Sequence, residues 1–238
     1  MSETPTPNKS SDVTNSMSNT RRNALILGAF SIVTTLLIAL TFLGTKDTII
    51  AQQQRMLLRV INDVVPNQYF SNDIQHDCAL LAPDPQLGNS AELKAYRGVS
   101  LDTNNAEQLS AVAIETIAPD GYSGDIHMIV GIAGDTLNLV TGVRVLAHKE
   151  TPGLGDKIDL RIDDWILSFD GQVFNSEQIN NWAVKKDGGQ FDAFTGATIT
   201  PRAVINAVTK AVQYVQTHKQ EIIKATNQCA LGASDERV

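Results

Sequence analysis

The first clear signal along the chain is an unbroken apolar run. From Ala24 to Leu43 there is no charged residue, and only Ser and Thr interrupt the aliphatic and aromatic side chains. About 20 such residues are enough to cross a hydrocarbon core as a helix. Past Lys46 the pattern changes but stays helical. Ile49, Ile50, Met56, Leu57, Val60, Ile61 and Val64 recur at intervals of three and four, with Gln and Arg between them, until Pro66 stops the run. This segment reads either as a stalk extending the membrane helix or as an amphipathic helix packed on a soluble domain.

Residues 67–108 are mostly polar and broken by Pro83, Pro85 and Gly88, which predicts irregular structure. Strand patterns then begin. Ala111–Ile117 alternates, Gly121-Tyr-Ser-Gly124 has turn chemistry, and Ile126–Ile132 and Leu137–Leu146 read as strands joined at Ala133-Gly134-Asp135. Asp164–Phe169 is a further apolar element, and Asn175–Val184 a short helix or connector. A helix is predicted from Pro201 to about Lys219, with the stripe Val204, Ile205, Val208, Ala211, Val212 and Val215. Thr200 suits its N-cap and Pro201 its first position. The expected fold class is α+β: one N-terminal transmembrane helix, then a mainly antiparallel sheet with flanking helices. The expected divisions are a disordered tail (1–22), the membrane helix (23–45), the stalk or amphipathic helix (46–66), the main domain (67–225) and a C-terminal tail (226–238).

Charge orients this plan. Lys9, Arg21 and Arg22 precede the apolar run, and Lys46 and Asp47 follow it. The positive-inside bias places the N-terminus in the cytoplasm and the main domain on the outer side of the membrane. A cleaved signal peptide is the alternative, but its apolar core is usually about 7–15 residues and ends at a small-x-small site, and neither feature is clear here. The net charge of -7 argues against a nucleic-acid partner. The two cysteines, Cys78 and Cys229, suit either a disulfide or two separate thiols. They are too few for a four-cysteine iron–sulfur cluster or a tetrathiolate zinc site within this chain. His76, His127, His148 and His218 have no metal-ligand spacing, so no metal site is expected. Redox chemistry here would need an organic cofactor.

Three stretches carry candidate chemistry. Asp192-Ala-Phe-Thr-Gly-Ala-Thr198 leads into the last helix. A phosphate group there would gain from the free N–H groups and dipole of a helix N-terminus. Gly196 and Ala197 keep the approach to Thr198 open, and Asp192 is placed to activate or position its hydroxyl. By capping and periodicity alone, this is a turn entering a helix. The second stretch is His148-Lys-Glu-Thr-Pro-Gly-Leu-Gly-Asp-Lys157. Gly153 and Gly155 allow close approach of backbone to a flat ring. Leu154 offers an apolar face, and Glu150 and Thr151 offer polar anchors. It is neither a Walker A loop nor a dinucleotide fingerprint. The third stretch is Val184-Lys-Lys-Asp-Gly-Gly-Gln-Phe191, whose Lys185 and Lys186 suit either a solvated turn or the charge of a cofactor.

Asp192-x-x-Thr195-Gly196-Ala197-Thr198 resembles the Asp-x-x-Ser/Thr-Gly-Ala-Thr pattern of FMN-binding domains. Glu150-Thr-Pro-Gly-Leu-Gly155 resembles a second hallmark segment of that family. From the membrane helix through the last helix, including Gly142-Val-Arg-Val-Leu146 and Asp164-Trp165, the chain is similar to the G subunits of the Rnf ion-translocating electron-transport complexes. The C subunits of the sodium-pumping NADH:quinone reductases are the related alternative. The resemblance implies one FMN, joined to Thr198 by a phosphoester bond, in a flavoprotein of the bacterial inner membrane whose periplasmic domain relays electrons within a complex. It also implies the other members of that complex as partners, and a flavin transferase for maturation. No catalytic residue is assigned, and this chain alone holds no complete catalytic site. A free-standing membrane-anchored flavin reductase and a non-redox interaction module are the other classes.

Overall fold

The computed structural model describes residues 9–90, 92–101 and 106–229. The chain divides after Arg55 into two units, Met1–Arg55 and Met56–Val238. Helix α1 runs over Lys9–Val64. Within it, Thr20–Ile49 is long and apolar enough to cross a membrane, and Leu25, Phe30, Ile38 and Leu43 are exposed. Several of the hydroxyls in this stretch turn inward to the helix backbone. Thr34 donates to the Phe30 carbonyl at 3.0 Å, Thr35 to Ser31 at 2.8 Å and Thr41 to Leu37 at 2.8 Å. Such bonds satisfy hydroxyls where no water is available.

Residues 9–22 are helical in α1, although their polar composition suggests a disordered tail. Once the apolar run has formed a helix, each added residue gains a hydrogen bond without a new nucleation cost. Residues 1–8 of that tail, and 230–238 of the C-terminal tail, lie outside the described residues.

The second unit is built on a six-stranded antiparallel sheet in simple sequence order. Its strands are β1 (Cys78–Leu80), β2 (Lys94–Leu101), β3 (Glu107–Ala118), β4 (Ile126–Ala133), β5 (Leu139–Ala147) and β6 (Gln172–Val173). Strand alternation divides the core in two. Val112, Ile114, Met128, Val130 and Val143 belong to a cluster with Val204, Val208 and Val212 of α2 (Ile199–Lys224). The smaller Ala111, Ala113 and Ala133, with Ile129, pack with Ile61, Val64 and Val65 at the end of α1. The last turns of α1 therefore behave as an amphipathic helix seated on the sheet.

Two strands depart from the sequence reading, which leaves 67–108 irregular. β1 pairs Cys78 with Tyr96, and β2 pairs Ala95 with Ile114. The alternation of β2 is hidden because its central residue, Arg97, is a buried cation. Its side chain donates to Asp77 Oδ1 at 2.8 Å and to the carbonyls of Ile222, Ile223 and Ala225 at 3.2, 3.2 and 2.6 Å. It thus takes up carbonyls left unpaired at the end of α2. Beside it, Cys78 and Cys229 form a disulfide with Cα atoms 5.4 Å apart.

The last helix also begins earlier than expected. Thr198, rather than Thr200, is the N-cap residue, and Pro201 is the third helical residue, where its missing N–H is one of the unpaired donors anyway. His218 interrupts the helical dihedrals near the expected end, yet α2 continues to Lys224.

Candidate functional site

Loops at one end of α2 form a cleft of about 270 Å³. Its first wall is the segment Gly196–Thr200. Trp165 holds the approach to that segment, donating its indole N–H to the Asp192 carbonyl at 2.8 Å and meeting Phe194 edge-on at 5.0 Å. The backbone then turns tightly. The Ala197 N–H donates to the Phe194 carbonyl at 3.1 Å, and Gly196 takes φ +82°, a conformation that favours glycine. This turn delivers Thr198 to the start of a 26-residue helix. Thr198 is half-buried, and its side chain makes no capping hydrogen bond.

The second wall comes from the loop after β5. Glu150, Thr151, Leu154 and Gly155 line the cleft. Thr151 anchors the turn, its carbonyl accepting from the N–H groups of Leu154 and Gly155 at 3.1 Å each. Gly153 takes φ +77° there and Leu154 stays partly exposed. The walls face one another closely: a Cβ on Gly196 would stand 4.0 Å from Leu154 Cδ2. Glu150 is buried, and its carboxylate accepts from the Ser123 N–H at 2.9 Å and the Thr200 hydroxyl at 2.5 Å. Tyr122, on the turn before β4, completes the rim with Ile199; both are exposed.

Of the sequence-selected residues, Thr198, Gly196, Ala197, Glu150, Thr151, Leu154 and Gly155 therefore come together, while Asp192, Thr195, Gly153 and Lys186 are not in the cleft lining. The Asp192 carboxylate is exposed and pairs with Lys185 Nζ at 2.7 Å. Lys186 is exposed on the neighbouring turn. Asp187 of that turn pairs with Arg202 of α2 at 2.6 and 2.7 Å, and those hydrogen bonds hold its carboxyl below the usual range. Asp159, close to His148, is lowered in the same way by Arg161. Tyr122, Ser123 and Ile199 are the residues sequence reasoning passed over, and Thr200 is one it read only as a helix cap. A tyrosine between two glycines carries no periodic signal, and only the fold brings that turn to the helix N-terminus.

An apolar rim over hydroxyls and a helix N-terminus suits a molecule with a flat ring at one end and a phosphate at the other. Residues 121–213 match the family model of the FMN-binding domain, which defines the class: an FMN-binding domain behind an N-terminal apolar helix. Residues 14–64 match the model of the RnfG N-terminal region. The G subunit of an ion-translocating oxidoreductase complex from Pseudoalteromonas atlantica is 50% identical over 208 residues, covering 87% of this chain and 94% of that one. Its counterpart from Vibrio cholerae is 51% identical over 209 residues, covering 88% and 96%. The chain belongs to the family of G subunits of ion-translocating oxidoreductase complexes. The crystal structure of Shewanella oneidensis NqrC is similar at 23% identity and a TM-score of 0.43, covering 65% of this chain and 72% of that one.

Proposed function

We propose that this protein is the membrane-anchored flavoprotein of an ion-translocating oxidoreductase complex, and that it relays electrons through FMN joined to Thr198 by a phosphoester bond. One observation carries the choice of residue. Of the threonines at 195, 198 and 200, Thr195 lies outside the cleft lining and Thr200 is fully buried with its hydroxyl donated to Glu150. Thr198 lines the cleft at a helix N-terminus and makes no capping bond.

The residues present fit the group. Free N–H groups of the first turn of α2 would hold the phosphate. Tyr122, Leu154 and Ile199 would lie against the ring. The cleft is a little smaller than the ~300–1,000 Å³ usual for enclosed ligands, so part of the group would stay at the surface, within reach of a redox partner. Bound there, FMN supplies reversible electron transfer, while the chain tunes and places it. Loading would form a bond between Thr198 Oγ1 and the phosphorus of FMN and break the P–O–P anhydride bond of a donor such as flavin adenine dinucleotide. The nucleoside monophosphate would leave, and the hydroxyl proton would pass to a base on a flavin transferase. Electron donor and acceptor sites belong to the other members of the complex. The charge bias around the apolar helix supports a cytoplasmic N-terminus and a periplasmic domain, and the Cys78–Cys229 disulfide suits that oxidising side.

The test is intact mass of the full-length chain made with a flavin transferase. The parent and Thr195→Ala should carry one FMN-phosphate adduct, and Thr198→Ala none. An adduct surviving in Thr198→Ala sinks the assignment.

A further inference from the structure

Glu150 is the buried carboxylate of the cleft, and in the sequence it reads as a polar anchor for a cofactor. Its oxygens are committed elsewhere. Oε1 accepts from the Ser123 N–H at 2.9 Å and Oε2 from the Thr200 hydroxyl at 2.5 Å, while its own N–H donates to His148 Nδ1 at 3.1 Å. One side chain thereby ties the turn before β4 and the loop after β5 to the first turn of α2. The surroundings are shaped around this bond. A Cβ on Gly155 would stand 2.4 Å from Glu150 Oε2 and 2.9 Å from Thr200 Oγ1, and one on Gly121 would stand 3.0 Å from Glu150 Oε1. Glycine at 155 leaves room for the carboxylate and its donor, whereas at Gly121 the nearer constraint is the Gly124 carbonyl oxygen, 2.2 Å from such a Cβ.

We propose that Glu150 is a positioning residue that sets the Thr198 acceptor through Thr200, an inference resting on the reading of Thr198 as the flavin-bearing threonine. Thr198 and Thr200 share the entry to α2. Fixing the Thr200 side chain fixes the rotation of that turn about the helix axis, and with it the direction in which the Thr198 hydroxyl faces. Group transfer depends steeply on such placement. Without the carboxylate, the Ser123 N–H and the buried Thr200 hydroxyl would lose their acceptor, and the turn would relax to find others.

The experiment measures the rate of adduct formation on the full-length chain in detergent, with a flavin transferase and saturating flavin adenine dinucleotide, read by intact mass. Thr200→Val keeps the shape and removes the hydroxyl. It should load about tenfold more slowly, the kinetic equivalent of one lost hydrogen bond. Gly155→Ala, which pushes into the same pair, should also be slow. Thr200→Ser restores the donor and should recover most of the rate. Circular dichroism checks that each variant folds, and the Thr200 pair decides the matter even if Glu150→Ala does not fold. Loading of Thr200→Val at the parental rate overturns the inference, as does a Thr200→Ser variant as slow as Thr200→Val, since packing alone would then explain the site. An adduct retained in Thr198→Ala would instead remove the underlying reading of the acceptor.

Discussion

The carbonyl oxygen of Val64 lies 2.0 Å from the position that a Cβ on Gly131 would take. The same oxygen accepts a hydrogen bond from the Thr141 hydroxyl, and a Cβ on Gly142 would stand 3.0 Å from Val64 Cα. Gly131 and Gly142 are cross-strand partners on β4 and β5, so together they open a notch in the sheet that receives the end of α1. Gly131→Ala should therefore destabilise the domain by about 1–3 kcal/mol, the usual cost of overpacking. Gly142→Ala should cost less, because its nearest contact is looser. Guanidinium unfolding followed by Trp165 and Trp182 fluorescence checks the order; equal stability of Gly131→Ala and the parent would remove the notch from the account.

Arg97 makes a second prediction. It is buried, paired with Asp77, and donates to three carbonyls at the end of α2. Arg97→Met would leave those carbonyls unpaired and Asp77 with only the Asn72 amide as a side-chain donor, at a cost of about 3 kcal/mol, the low end for a broken buried pair because Asp77 is partly exposed. Arg97→Lys should recover little, since an ammonium cannot reproduce the planar fork. Amide exchange in the last turns of α2 should accelerate in both variants. Protection unchanged from the parent would mean that Arg97 does not hold that helix end.

Arg97 also shows why part of the fold was not legible in the sequence. Its charge sits where a strand pattern needs an apolar residue, and only Asp77 and the α2 carbonyls, distant in sequence, make that burial tolerable. β4, β5 and α2 were legible because their apolar positions repeat locally. In the site, the motifs containing Thr198 and Leu154 stood out, and the cleft brings both together. The early start of α2 was hidden because Thr200 and Pro201 form a good local start signal, while the hydroxyl of Thr200 is drawn away by Glu150, 50 residues earlier. The pairing of Cys78 with Cys229, 151 residues apart, could not be read from two cysteines alone.

That separation yields a third prediction. Closing a loop of 151 residues restricts the unfolded chain, and the loop-entropy model gives about 5 kcal/mol as an upper figure. The folded state has other ties at the same place: the Asn227 side chain donates to the His76 carbonyl at 2.9 Å, and the Gln228 N–H donates to the Cys78 carbonyl at 2.9 Å. Reduction should therefore lower the melting temperature without unfolding the domain at about 25 °C. Dithiothreitol should bring the parent to the melting temperature of Cys78→Ala/Cys229→Ala and leave that variant unmoved. A parent insensitive to reductant under denaturing equilibrium would contradict the disulfide's role.

Two carboxyls should give opposite pH dependences. Hydrogen bonding from the Arg161 guanidinium, against the opposing push of burial, holds Asp159 below the usual range. Its folded pKa is lower than its unfolded value of about 3.9, so its stabilising contribution is present above that value and fades as pH falls through the folded pKa. The exposure of Arg161 keeps the effect small. Glu115 goes the other way, because burial pushes its carboxyl above the usual range despite the Lys94 N–H bond at 3.1 Å. Its contribution is present below the unfolded pKa and is lost as pH rises through the folded one. In urea titrations from about pH 3 to about pH 7, the stability gap between the parent and Asp159→Asn should widen with rising pH. The parent should meanwhile lose ground to Glu115→Gln over the same rise. Gaps that both widen with rising pH would show that burial does not dominate at Glu115, and gaps that both shrink would remove the Arg161 contribution at Asp159.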